Sequence, residues 1–392
     1  MKNFQFYAPT RVFFGKGEYV RTGEILAGYG YTKIMLHYGG GSVIKSGLLA
    51  KVKESLEKKG ISYVEFGGAQ PNPRLSHAKA GIDICRKEGV QLILAVGGGS
   101  TIDSAKMMAS GTLADCDPWL FVTKERVPMA ALPIATILTL AASGSETSSS
   151  AVISNDESGL KRGFNSDFNR PLFSILSPEL TFTLPPYQTA CGIVDILMHT
   201  LERYITVPNF FEPTDSMAEA ILKSVIAAGR VAMKEPENFE ARATLMWAGS
   251  LSHIDLTGLG KEYFMISHQL EHEISDMFPH VAHGAGLAVV FPAWCRYVYQ
   301  KNLPAFCRYA NRVWDIPMDE SNPEKNALAG IEATEKFFRE IGMPLTLREC
   351  GIGEDAIEEM AEKCTFFGKR TIGGMKVLGE DDIYNIYVDS NR

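Results

Sequence analysis

The segment SHQLEHEISDMFPHVAHGAG, residues 267 to 286, holds four of the chain's eight histidines: His268, His272, His280 and His283. Imidazole is the commonest side-chain metal ligand and titrates near neutral pH, so this concentration points to metal binding, acid–base work or both. A second grouping favours metal. In CGIVDILMHTLERY, residues 191 to 204, Asp195 and His199 stand four apart and share a helix face, as do His268 and His272. Two helices that each turn such a pair inward could cage a divalent cation. One carboxylate with imidazoles and no thiolate suits Fe(II), Zn(II), Mn(II) or Co(II). Each residue has an ordinary alternative, since a histidine on an apolar helix can be a hydrogen-bonded core residue and Asp195 a solvated acid. The clustering of the histidines and the matched Asp/His pair argue against it. A zincin protease needs HExxH, with the glutamate beside the first histidine. The run His268-Gln-Leu-Glu-His272 misplaces Glu271 for that role and excludes this chemistry. Residue type alone does not choose among the four histidines.

A different chemistry is suggested upstream. LILAVGGGSTIDSAK, residues 92 to 106, reads as a strand, then Gly97, Gly98, Gly99 and Ser100, then a helix. Glycines let backbone approach a pyrophosphate, and the helix N-terminus offers free N–H groups and a positive dipole end. The run is neither GxGxxG nor a P-loop. HYGGGSVIKSG, residues 37 to 47, repeats the arrangement with Gly39, Gly40, Gly41 and Ser42, and TLAASGSETSS, residues 139 to 149, adds a third loop of hydroxyls and small residues. Any one could be a plain tight turn; together they point to a dinucleotide. Asp103 could touch the nicotinamide side or simply favour the first helical turn.

The elements that must carry these groups follow two grammars. Up to about residue 185, apolar runs at 32–38, 61–66, 91–96 and 129–135 read as buried strands. Between them, IKSGLLAKVKESLEKKG and LSHAKAGIDICRKEG show helical spacing and end at a glycine suited to a cap. Alternating strand and helix predicts a parallel sheet with helices on both faces and ligands at its carboxyl edge. After LPPYQ nearly everything reads as helix, broken by loops such as TVPNFFEPT and MDESNPE. The expected division is an α/β dinucleotide-binding domain over 1–186 and an all-α metal-binding domain over 187–392, with a cleft between them as the natural reaction site.

Composition bounds the setting. The chain has 392 residues, 45% hydrophobic and 22% charged, with a net charge of −7. That acidity argues against nucleic acid or an anionic membrane as partner. Seven scattered cysteines without a CxxC pair suggest neither a disulfide framework nor a zinc ribbon, and fit a reducing cytoplasm. The N-terminal MKNFQFYAPTRVFFGKG lacks the apolar core of a signal peptide, and the most apolar stretch, 129–143, is too short to span a bilayer.

The chain resembles the iron-dependent (group III) alcohol dehydrogenases, within them the branch of butanol dehydrogenases and NADPH-dependent aldehyde reductases. The likeness runs through PTRVFFGKG, YGGGSVIKSG, GGGSTIDSAK, SGSET, LPP, GIVDILMHTLERY and HQLEH to HGAGLAVVFPAW. It implies Asp195, His199, His268 and His283 as metal ligands, His283 matching the family's His-Gly pair. His272 corresponds to a histidine near the nicotinamide that is not a ligand. The interval from His272 to His283 is one residue longer than usual, which keeps His280 as a reserve ligand. Ser177 stands where the family has an aspartate before Pro178. The resemblance also implies cofactor contacts from Gly97, Gly98, Gly99, Ser100, Thr139, Leu140, Ser143 and Lys161, although Lys161 could be only a surface charge. Homodimerisation is implied likewise.

The expected function is hydride transfer between a nicotinamide cofactor and a small primary alcohol or aldehyde, a butanol–butyraldehyde-like pair. One divalent metal, Fe(II) or Zn(II), polarises the substrate oxygen, and His272 is the candidate to pass the proton. NADP(H) is favoured over NAD(H). Members specific for NAD carry an aspartate in the early glycine turn, and Gly40 stands at that position here; Gly39, Gly40, Gly41 and Ser42 form a concave run of donors that suits a phosphate. The alternatives are a lyase of the dehydroquinate synthase type, expected to show glutamate in place of Asp195, a glycerol dehydrogenase type, and a nucleotide-binding protein without catalysis.

Overall fold

The computed structural model describes residues 1–206 and 210–391. Residues 207–209, in the expected loop TVPNFFEPT, lie outside the described residues. The chain forms two compact units, residues 7–183 and residues 1–6 with 184–392.

Alternating apolar runs become a six-stranded parallel sheet in the first unit, in the order β1-β8-β5-β4-β2-β3. These are β1 (Arg11–Phe14), β2 (Lys33–Tyr38), β3 (Ser62–Phe66), β4 (Leu92–Gly97), β5 (Ile134–Leu138) and β8 (Phe173–Leu176). Every residue of β4, β5 and β8 is buried, as the continuous apolar sequence of a strand covered on both faces requires. The strand expected over 129–135 begins instead at Ile134. Pro133 has no N–H for the ladder and can only lead into it, its carbonyl accepting from Ile93 N at 3.0 Å.

A second sheet was not expected: β6 (Ser150–Asn155) and β7 (Leu160–Asn165) form an antiparallel hairpin. Two crossover helices match the reading, Leu48–Glu57 (α1) and Leu75–Glu88 (α2), the latter ending on Gly89 at φ +62. Gly99–Thr112 (α3) follows β4 directly.

In the helical unit three elements matter for the site: Pro186–Ile205 (α4), Ile266–Met277 (α5) and His283–Val298 (α6). Pro186 starts α4 at a position where a missing N–H costs nothing, and every residue from Thr189 to Ile205 is buried. The first six residues pack with this unit: Lys2 N donates to Gly260 O at 2.8 Å, and Phe4 meets Phe211. No described helix is long and apolar enough to cross a membrane.

Candidate metal centre and cofactor loops

A helix buried all round cannot afford unpaired polar side chains, yet α4 carries Asp195, His199 and Glu202 along one face. They are met by α5, which presents His268, Glu271 and His272, and by His283 at the first turn of α6. Gly284 makes the approach possible: a Cβ there would stand 2.2 Å from the Cys191 carbonyl oxygen of α4.

The carboxylate of Asp195 is the hub. Its Oδ1 lies 3.3 Å from His199 Nδ1, 3.6 Å from His268 Nε2 and 3.8 Å from His283 Nε2. One donor atom each from Asp195, His199 and His268 fits within 4.8 Å of the others. Asp195 Oδ1, His199 Nδ1 and His268 Nε2 are buried without a hydrogen-bond partner. Buried polar atoms nearly always find a partner, so three orphans aimed at one another call for something between them. Donors set tetrahedrally at about 2.1 Å from a cation stand about 3.4 Å apart, close to the observed separations. An oxygen and three imidazole nitrogens suit Fe(II) or Zn(II), so the residues present fit such an ion.

The far side of each ring is also engaged. His268 Nδ1 donates to Glu202 Oε2, whose other oxygen accepts from the Ser267 backbone N–H. His283 Nδ1 donates to Glu271 Oε2. Burial opposes a proton on His268, but the carboxylates of Glu202 and Asp195 outweigh it and raise the imidazole to about 9. His199 is pushed well below its ordinary value, first by burial and then by His253, His268 and Arg203.

His272 sits one turn beyond His268, its ring 6.0 Å from that of His283. His280 is elsewhere: its Nε2 bonds the Cys350 carbonyl at 3.1 Å, and it lines a cavity of about 520 Å³ with Tyr187 and Arg339 that none of the four donors lines. The reserve ligand is therefore not at the centre.

In the α/β unit, chain order turns back between β2 and β4, and the loops after β2, β4 and β5 open at the same sheet edge. A Cβ on Gly97 would stand 2.4 Å from Thr101 Oγ1, one on Gly98 3.4 Å from Leu140 Cβ, and one on Gly99 2.4 Å from Ser143 Oγ. A Cβ on Gly39 would also approach Thr101 Oγ1, at 3.3 Å. Thr139 N donates to Gly97 O at 3.0 Å. The structure thus gathers Gly39, Gly97, Gly98, Gly99, Ser100, Thr139, Leu140 and Ser143. α3 has no side-chain cap, leaving its first N–H groups, including that of Ser100, for an anion. Gly40 faces open space, and the Lys45 Cε would be 3.6 Å from a Cβ on Gly41; Ser42 opens the short helix Ser42–Lys45.

Asp103 is engaged within the protein. Its oxygens accept from Ser145 Oγ at 2.5 Å and Val152 N at 3.0 Å, fastening the third loop and the hairpin to α3. Lys106, fully buried, donates to the carbonyls of Ser148 and Ser150 at 3.0 and 2.7 Å. Lys161 is buried on β7, close enough to Asp103 to favour its charge. Glu202, Lys106, Ser145 and Lys45 were not singled out in the sequence, and Glu271 was weighed there only as a protease base. Glu202 and Glu271 share a signal: both helices contain His-Xaa-Leu-Glu, in HTLE and HQLE.

Comparison with known proteins places this geometry in context. Residues 9–178 match the profile of the iron-containing alcohol dehydrogenases, and residues 189–390 that of the C-terminal part of the Fe-containing alcohol dehydrogenase family. The NADH-dependent butanol dehydrogenase A of Clostridium acetobutylicum is 41% identical, with 100% of both chains covered. The NADPH-dependent aldehyde reductase YqhD of Escherichia coli is 36% identical over 100% of this chain and 98% of its own. Among solved structures, that of NADH-dependent butanol dehydrogenase A from Thermotoga maritima superposes with a TM-score of 0.96 at 34% identity, covering 100% of this chain and 99% of the other.

Proposed function

Because the chain belongs to the iron-containing alcohol dehydrogenase family, we propose that it interconverts small primary alcohols and aldehydes, of butanol and butyraldehyde size, using NADP(H) and one divalent metal. The observation that carries this reading is the set of unpartnered donors on Asp195, His199 and His268, with His283 Nε2 beside them. A divalent cation, Fe(II) or Zn(II), supplies Lewis acidity when bound, polarising an aldehyde oxygen or acidifying an alcohol. The nicotinamide supplies the hydride chemistry, and the protein supplies positioning.

Asp195, His199, His268 and His283 would hold the ion. Gly97, Gly98, Gly99, Ser100, Thr139, Leu140 and Ser143 would receive the pyrophosphate and nicotinamide side, with Lys161 adding charge. Asp103 and Lys106 keep the third loop and the hairpin in place. His272 is the group proposed to exchange a proton with the substrate oxygen, and its place next to His283 supports that role.

For the cofactor, the reading favours NADP(H). No acid stands in the turn Gly39–Ser42, and Lys45 brings a cation to its edge. The relatives include both an NADH-dependent and an NADPH-dependent enzyme, so the turn is the feature to test. Steady-state kinetics with butyraldehyde should give a higher kcat/KM with NADPH than with NADH, and Gly40→Asp should raise KM for NADPH far more than for NADH. Equal efficiency of the unmodified enzyme with the two cofactors would remove the preference.

A further inference from the structure

We propose that Glu202 and Glu271 are positioning residues that fix the tautomer and ring orientation of His268 and His283, holding the Nε2 of each toward a common metal position. The inference rests on the metal centre proposed above.

Both glutamates are fully buried, yet neither packs as a lone acid. Glu202 Oε2 takes His268 Nδ1 and Glu271 Oε2 takes His283 Nδ1. An ionised carboxylate only accepts, so Nδ1 must carry the hydrogen. In the neutral ring, Nε2 is then a bare lone pair, the form a cation needs. In both rings that nitrogen is turned toward the same atom, Asp195 Oδ1, at 3.6 and 3.8 Å. A glutamate that merely satisfied a buried histidine would have no reason to repeat both the nitrogen it holds and the atom its partner faces.

The connectivity is staggered. Glu202 lies three residues after His199 on α4 but braces His268 on α5; Glu271 lies three after His268 on α5 but braces His283 on α6. α4 and α5 thus each give a ligand and aim the ligand of the next helix. Glu202 is fixed further by the Ser267 N–H. Glu271 is admitted by Gly286, where a Cβ would stand 2.8 Å from its Cγ. A buried carboxylate also makes the ring it holds more basic and more strongly attractive to a cation.

Glutamine is a sharp probe at position 202. Its amide can accept at only one end, so either Ser267 N–H or His268 Nδ1 then faces an NH₂ group; the second case reverses the histidine's tautomer and blocks Nε2. The measurement is Zn²⁺ affinity by chelator competition, with the visible spectrum of the Co²⁺ complex as a readout of ligand geometry. Glu202→Gln and Glu271→Gln should each bind Zn²⁺ about 10–100-fold more weakly and alter the Co²⁺ spectrum. Gly286→Ala should do the same to a smaller extent by displacing Glu271 without removing its charge, which keeps the test open if a glutamine variant does not fold. Glu219→Gln disturbs a buried glutamate bonded to Tyr204 and Arg308 in the same unit, and should leave affinity and spectrum as they were. Full Zn²⁺ affinity and an unchanged Co²⁺ spectrum in both glutamine variants, beside a wild type that binds, would overturn the braces and leave the centre standing. A wild type that held no divalent ion would remove both.

Discussion

At the scale of single residues, the three histidines around Asp195 are distinguished from His280 by what their ring nitrogens touch. His280 gives its Nε2 to the Cys350 carbonyl, whereas His268 and His283 keep that atom for Asp195. His283→Ala and His268→Ala should therefore lose metal and turnover together, while His280→Ala keeps the ion, as atomic absorption on anaerobically purified protein would read. A His280→Ala protein without metal beside a loaded His283→Ala protein would reverse the assignment. His272→Gln should retain metal and cofactor yet slow turnover by about 10²–10⁴-fold, the usual worth of acid–base assistance. An unchanged pH–rate profile would take His272 out of proton transfer.

At the scale of elements, the site depends on how closely three helices meet. The first turn of α6 rests against α4 through Gly284, and any side chain there collides with the Cys191 backbone. Gly284→Ala should cost about 1–3 kcal/mol of stability, the range for forced overpacking, and weaken metal binding because His283 moves with the helix. Thermal melts with and without Zn²⁺ would show both losses; wild-type affinity in a destabilised Gly284→Ala protein would mean that α6 does not set the ligand's position. This scale also shows what could be read from the sequence. Periodicity and glycine turns indicated the parallel sheet, its ligand-bearing edge and the helical second half, since each depends on a pattern within one segment. The β6–β7 hairpin escaped because neither SAVISN nor LKRGFN is a continuous apolar run, and the hairpin is held by Asp103 and Lys106 of α3. Glu202 and Glu271 escaped because their partners lie on other helices. His283 could be preferred to His280 only by resemblance, since both stand in one polar turn and only packing separates them.

At the scale of the molecule, stability and function should respond to pH and metal through different groups. In the α/β unit His37 is buried in the sheet, its Nδ1 on the Phe66 carbonyl and its ring stacked on Phe66, and burial lowers it from 6.5 to about 4. His77, whose ring stacks on the same Phe66, is also lowered by burial. The folded chain refuses protons that the unfolded chain accepts, so stability should be full above pH 6.5 and fall as pH drops toward 4. For His37 alone that is about 3 kcal/mol. Urea unfolding from pH 7 to 4 should give a shallower decline for His37→Gln than for wild type, and parallel declines would mean that His37 is not responsible. The central claim, that Asp195, His199, His268 and His283 hold an ion without which no aldehyde is reduced, is tested most directly by metal add-back. Protein stripped by chelator under anaerobic conditions is titrated with Fe(II) or Zn(II) while oxidation of NADPH by butyraldehyde is followed. Turnover should be absent in the stripped protein and rise to a plateau at one ion per chain; full turnover by protein shown to contain no metal would contradict the account.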